Sequence, residues 1–381
     1  MKSASADLSE TGVPPDAGGK RLMEKLLNKN KLKNIGVRTA GTLAIPVLFT
    51  AVILIVCAAN GVMILTNSSL FADFVCYAAI VTLTTFALSI NLGSGRFDFS
   101  LGSMATLSAA ASAKITYALL SGGTGSAPLM LVFCLLFGAI LGAISGGLYV
   151  LLCLPPIITS LGVTLIFEGI IYVLNNGSYI MSEVQNSSMT FFTSNWYLPA
   201  ILIVVALAAV YFLYDRTKFG YNYKALREGQ KVAVNTGIRE IPNAVVCYIV
   251  CGVLMGAVGF IQAARNTNIN TGVLNFGTIS IMFTAFLPMF IGGYIGRFSN
   301  DKFGYLLAGI IMSLLNSMFA QLSLIGLVDS STRSIVEAVL LVLFLIFLNN
   351  EQTCKDLVTG RLFKRWGLAL KKKFAKQKKD E

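Results

Sequence analysis

Ten runs of apolar residues, separated by polar stretches, organise the 381-residue chain. The first five are Leu43–Leu65, Phe74–Ile90, Met104–Leu120, Leu129–Cys153 and Ile157–Leu174. The second five are Tyr197–Tyr214, Ala244–Ala264, Ile281–Ile295, Phe303–Leu327 and Ile335–Leu348. A helix needs about 20 predominantly apolar residues to cross the hydrocarbon core. The pattern predicts an all-α polytopic membrane protein with about ten transmembrane helices, several of them short, Ile281–Ile295 above all. Three regions follow: a basic N-terminal segment over 1–42, a transmembrane domain over 43–348 with a large polar loop at 215–242, and a basic tail over 349–381. Polar residues fill the start of the chain, so no cleavable leader is expected and the first run stays as a span.

Composition agrees with the pattern. Hydrophobic residues make up 55% and charged residues 13%, against about 25% charged in soluble domains. This excludes an ordinary soluble enzyme. The chain has no histidine, which removes His-based zinc sites, Ser-His-Asp triads and His-ligated haem. Its seven cysteines lack metal-site spacing and read as small core hydrophobes. Neither a metal nor another cofactor is expected.

The net charge of +12 gains meaning from its placement. With the N-terminus inside, 27 of the 30 Lys and Arg fall on inside segments, as the positive-inside rule requires. The surplus is an orientation signal for a cell-membrane protein with both termini cytoplasmic; it does not point to nucleic acid. Trp196, closing the long outside loop, suits an interfacial aromatic anchor. Sequons at Asn67, Asn176 and Asn186 are patterns too loose to carry an argument. In the tail, Leu362, Trp366, Leu370 and Phe374 recur every four residues among Lys and Arg, which predicts an amphipathic helix on an anionic leaflet.

Three places hold candidate chemistry. The stretch Asn91-Leu-Gly-Ser-Gly-Arg-Phe-Asp98-Phe-Ser100-Leu-Gly-Ser103 is poor material for a continuous membrane helix. Either it breaks a helix beside a polar path, or Asp98 or Ser100 caps the next helix; the two are compatible. Pro155-Pro156 begins the fifth span, where Thr159 and Ser160 can bond across helices or back to their own backbone. Lys114, Glu168 and Glu337 are ionisable groups inside spans, hence functional candidates, with Glu168 deepest. The loop at 215–242 offers an amphipathic helix with Leu226, Val232, Val234, Ile238 and Ile241, suited to docking on a soluble partner. No Gly-x-x-x-x-Gly-Lys-[Ser/Thr] occurs, so any ATP hydrolysis belongs to another chain.

Three ordered stretches together resemble the ribose-type permeases of bacterial ATP-binding cassette (ABC) sugar importers. Gly95-Arg-Phe-Asp98-Phe-Ser100-Leu-Gly102-Ser103 is similar to the family's Gly-Gly-Ile-Asp-Leu-Ser-Val-Gly-Ser. Pro155-Pro-Ile-Ile-Thr-Ser-Leu161-Gly162 is similar to Pro-x-Phe-Ile-x-Thr-Leu-Gly. Thr217-Lys-Phe219-Gly220, Ala225, Ala233 and Gly237-Ile238 match a cytoplasmic motif at the same spacing. The resemblance implies a type II-like importer permease, not itself an enzyme, moving a sugar or similar small polar solute inward. It implies an ATPase subunit docking at Thr217–Ile238, an extracytoplasmic solute-binding protein and a second permease subunit. Asn91, Asp98, Ser100, Thr159, Ser160 and Glu168 would border the translocation path. The chain departs from the family pattern at Arg96, Glu168, Arg227 and Glu228. The competing reading is a proton- or ion-coupled secondary transporter using Glu168 or Glu337.

Overall fold

A computed structural model describes residues 39, 41–62, 64, 67–119, 126–175, 187–265 and 275–350. Among them the ordered elements are helices, without a strand. In chain order they are α1 (Gly41–Ala59), α2 (Ser68–Gly93), α3 (Leu101–Leu119), α4 (Ala127–Leu152), α5 (Pro156–Leu174), α6 (Ser187–Ser194) and α7 (Tyr197–Arg216). There follow α8 (Lys218–Asn235), α9 (Glu240–Arg265), α10 (Ile279–Phe283), α11 (Phe286–Gly296), α12 (Asp301–Leu324) and α13 (Ser330–Asn349). The expectations for the polar start, the basic tail, Asn176 and Asn186 lie outside the described residues. Asn67 caps α2, its side-chain oxygen accepting from the Ser69 amide at 3.1 Å.

Among the described residues, nine helical segments are long and apolar enough to cross a membrane, α10 and α11 counting as one. The expected tenth run is present as α3, a 19-residue helix. Its stretch Ser-Ala-Ala-Ala-Ser-Ala is too polar for the other nine's company. The reason is position: α3 is enclosed by α9, α4, α5 and α10, with most of its residues buried. A helix shielded from lipid does not need an apolar surface. Two of its hydroxyls turn back on their own helix, Thr106 to the Gly102 carbonyl at 3.1 Å and Ser108 to that of Ala105 at 2.9 Å.

The most intimate pair is α4 with α9. Gly138 and Gly142 on α4 face Gly252 and Gly256 on α9, and a Cβ at Gly252 would stand 3.0 Å from the Gly142 Cα. Spacing by four puts each set on one face of its helix, so the backbones meet without side chains between them. Around this pair, α2 and α3 fill the centre. At the periphery none of Thr332–Asn349 in α13 is buried, as befits a lipid-facing span.

The short run Ile281–Ile295 is a broken helix. Its turn at Thr284 and Ala285 separates α10 from α11, and Thr284 donates its hydroxyl to the Ile281 carbonyl at 2.8 Å. Phe283 and Phe286 flank the break, stacked with ring centroids 5.4 Å apart. Phe97, beside the other break, lies 5.7 Å from Phe286. The two discontinuities of the bundle therefore sit against each other.

Candidate functional site

The break between α2 and α3 builds a buried polar hub. Helix α2 ends where Gly95 takes a left-handed conformation (φ 75°). The Gly95 amide then bonds to the Leu92 carbonyl at 3.0 Å and the Arg96 amide to that of Asn91 at 3.1 Å. This is the Schellman closure that glycine favours. The chain turns back so that Asp98 reaches Asn91, whose Nδ2 donates to Asp98 Oδ2 at 3.3 Å. Asp98 Oδ1 accepts from the Ser100 amide at 2.8 Å and the Ser100 hydroxyl at 2.6 Å. Ser100 Oγ lies 3.3 Å from Ser145 Oγ on α4, and the Cys251 thiol on α9 donates to Asn91 Oδ1 at 3.3 Å. Asn91, Asp98 and Ser100 are all buried, so the hub joins four helices at the start of α3.

Glu168 holds the turn that precedes α10, ahead of the second break. Its Oε1 accepts from the Thr278 amide at 3.0 Å and the Thr278 hydroxyl at 2.7 Å, and its Oε2 from the Phe276 amide at 3.1 Å. Phe276 stands in left-handed backbone (φ 61°), a conformation disfavoured for a side chain of this size. The carboxylate of α5 thus holds the turn that launches α10. A Cβ at Gly102 would overlap the Thr278 carbonyl, so only glycine lets α3 start against that turn. Thr159 and Ser160 are buried on α5 and bond within it, to the carbonyls of Pro155 at 3.4 Å and Ile157 at 3.0 Å. Of the predicted path residues, Asn91, Asp98 and Ser100 touch one another, Glu168 joins them through α3, and Thr159 and Ser160 stand apart. Glu337 pairs with Arg333 at 3.0 Å, one turn away on α13.

The predicted amphipathic loop is α8, at the end of the bundle where the basic residues gather. Thr217 caps it, accepting from the Gly220 amide at 3.3 Å. Phe219 packs on Tyr214, ring centroids 5.3 Å apart, and Gly220 lies against the Tyr214 backbone, where a Cβ would clash. Ala225 is half-buried and Ala233 buried. Extended backbone at Gly229 breaks the helix (φ −173°, ψ 88°). Left-handed Gly237 (φ 92°) closes it, the Ile238 amide bonding to the Ala233 carbonyl at 3.1 Å. The Gly-Ile motif is thus a helix stop.

Residues overlooked in the sequence tie α8 down. The buried Tyr223 hydroxyl donates to the Ile90 carbonyl of α2 at 3.1 Å. Burial pushes its phenol well up, so it remains a neutral donor. Arg227, a departure from the family pattern, pairs with Asp301 of α12 at 3.4 Å. Asn243 of α9 donates to the Phe219 carbonyl at 3.2 Å. Tyrosine and arginine in a polar loop give no signal of such partners, which lie far away in sequence. Between α8 and α9 opens a groove of about 530 Å³ lined by Phe219, Asn222, Gly237, Ile238, Arg239 and Pro242.

A bundle of apolar helices with two facing breaks and a polar helix bound to one end is the architecture of a multi-pass membrane protein. Residues 70–348 match the model of the family described as branched-chain amino acid transport system / permease component, and the chain belongs to that family. It is similar to the D-allose transport system permease protein of Escherichia coli, 27% identical over 62% of this chain and 74% of the relative. The ribose import permease protein of Bacillus subtilis is 27% identical over 66% and 79%, respectively. The galactofuranose transporter permease protein of Escherichia coli is 24% identical over 72% and 78%. No solved structure matches the chain.

Proposed function

We propose that this permease carries a sugar or similar small polar solute into the cytoplasm, driven by a separate ATPase subunit that docks on α8. The carrying observation is the exposure of Val232 (69%), Val234 (44%) and Ile241 (59%) at the polar, basic end of the bundle. Apolar side chains held in water beside a groove suit a protein partner. That end is cytoplasmic in this reading, as are both termini, in accord with the placement of Lys and Arg. Thr217, Phe219, Gly220, Ala225, Ala233, Gly237 and Ile238 act by shaping and holding α8. An extracytoplasmic solute-binding protein delivers the solute, and a second permease subunit completes the assembly. The sugar class follows the permeases named above.

The translocation path runs past the two facing breaks, bordered by the Asn91–Asp98–Ser100 hub and the Glu168-held turn. Thr159 and Ser160 serve α5 itself. The test is uptake into proteoliposomes of radiolabelled D-ribose, D-allose and D-galactose, with the cognate ATPase and binding protein. Uptake that requires ATP and all components is expected. Uptake by this chain alone, driven by an ion gradient, would overturn the proposal.

A further inference from the structure

Arg96 follows the left-handed Gly95, where the resembling family has a second glycine, and it is only 5% exposed. Its Nη2 donates to Glu240 Oε1 at 2.7 Å, and its Nη1 to the Ser94 carbonyl at 3.3 Å. The guanidinium carbon lies 5.6 Å from the centre of the Tyr149 ring on α4. Glu240 opens α9, and the same Oε1 accepts from Gln230 Nε2 at 2.7 Å. Gln230 immediately follows the extended break at Gly229 in α8. The Arg96 amide, in turn, is bonded to the carbonyl of Asn91, the residue whose side chain holds Asp98. A relay of hydrogen bonds, linked through the Arg96 and Asn91 residues themselves, thus runs from the second half of α8 through Glu240 to the hub at the start of α3.

We infer that Arg96 is the positioning residue through which displacement of α8 reaches the α2–α3 break. The inference rests on the reading of α8 as the docking segment. Its physical basis is the cost of parting a buried guanidinium from its half-buried carboxylate. A guanidinium this enclosed does not readily leave its carboxylate, because the unpaired ion would stay desolvated. Glu240 and Arg96 therefore move together. The two helical halves of α8 meet at the non-helical Gly229, so the i→i+4 ladder does not tie Gln230 rigidly to Thr217–Tyr223, which α2 and α7 hold. A shift of Gln230 pulls on Glu240, and Arg96 carries it into the turn that orders Asp98 and Ser100. A glycine at position 96 would leave the backbone turn intact and remove this link.

Hydrogen–deuterium exchange on the full chain in lipid nanodiscs tests it, read at the Arg96, Ser100 and Met104 amides. Q230A is expected to speed exchange there by at least about threefold in the native background, and not in the R96M background, since coupled residues give non-additive effects. R96L repeats the comparison should R96M not fold. No effect of Q230A on these amides, or an equal effect with and without Arg96, overturns the inference. In the complex with the ATPase, ATP plus vanadate is expected to alter the same amides in the native chain and not in R96M. Equal responses would again overturn it. Failure of the chain to bind any ATPase would refute the importer reading only, because the nanodisc comparison decides the role of Arg96 by itself.

Discussion

Replacing Glu168 with glutamine separates a structural carboxylate from a proton carrier. The carboxylate offers two acceptor oxygens to three donors: the Thr278 amide and hydroxyl on Oε1 and the Phe276 amide on Oε2. Glutamine can keep its carbonyl oxygen toward Thr278, but its NH2 then faces the Phe276 N–H. One charge-assisted bond is lost, worth about 1.5–3 kcal/mol, and a donor is left against a donor. The Phe276 turn also gives up the bond that offsets its left-handed backbone, a conformation costing about 1–2 kcal/mol. The combined loss is on the order of 2–4 kcal/mol. Thermal unfolding followed by scanning fluorimetry in nanodiscs is expected to show a clear drop for E168Q and a larger one for E168A. Uptake should fall without any change in the shape of its pH profile, because no proton passes through Glu168. Native stability in E168Q together with a flattened pH profile would refute the argument and revive the ion-coupled reading.

Four further outcomes are expected. Gly252→Leu places side-chain atoms against the Gly138 and Gly142 backbones and should cost several kcal/mol, at or above the ~1–3 kcal/mol of ordinary overpacking; the monodisperse peak in detergent chromatography should be lost. Gly147→Ala on the same α4, where a Cβ meets nothing within 4 Å, should leave that peak unchanged. Asp98→Asn turns an amide donor toward Asn91 and should destabilise by about 1–3 kcal/mol, with the exchanged pair N91D/D98N recovering at least half of the lost melting temperature. Tyr223→Phe deletes the bond to Ile90 and should cost about 1 kcal/mol, detectable as faster amide exchange in α8 and a small fall in melting temperature.

The transmembrane scaffold was legible because hydrocarbon imposes a simple length and polarity rule on each span. Even Ile281–Ile295 carried its own warning, being too short for one crossing, and it proved to be the broken pair α10 and α11. Side-chain partners were less legible. Glu168 reads as a lone charge in an apolar run, since the amides it satisfies lie more than a hundred residues later at Phe276 and Thr278. Arg96 and Glu240 are likewise separated by the whole middle of the chain. One signal was present and unused: Gly138, Gly142 and Gly146 repeat every four residues, as do Gly252 and Gly256. That spacing marks helices whose backbones touch. Helix stops at Gly95 and Gly237 were visible as residue types, but the positive φ that explains them was not.

The polarity of α3 bears on how the protein is made. Insertion into a bilayer is decided largely by each segment's own apolarity as it leaves the ribosome. A segment whose serines and alanines suit a protein interior presents a weak case for insertion while it is still alone. The α4 surface that shields it is synthesised next, but α9, which covers it about as much as α4 does, arrives more than a hundred residues later. Until then α3 has α4 and α5 to pack on, and the face that α9 covers stays open. Biogenesis by deferred packing is the expected consequence: substitutions in α9 that leave the finished bundle intact should still lower the yield of correctly threaded chains.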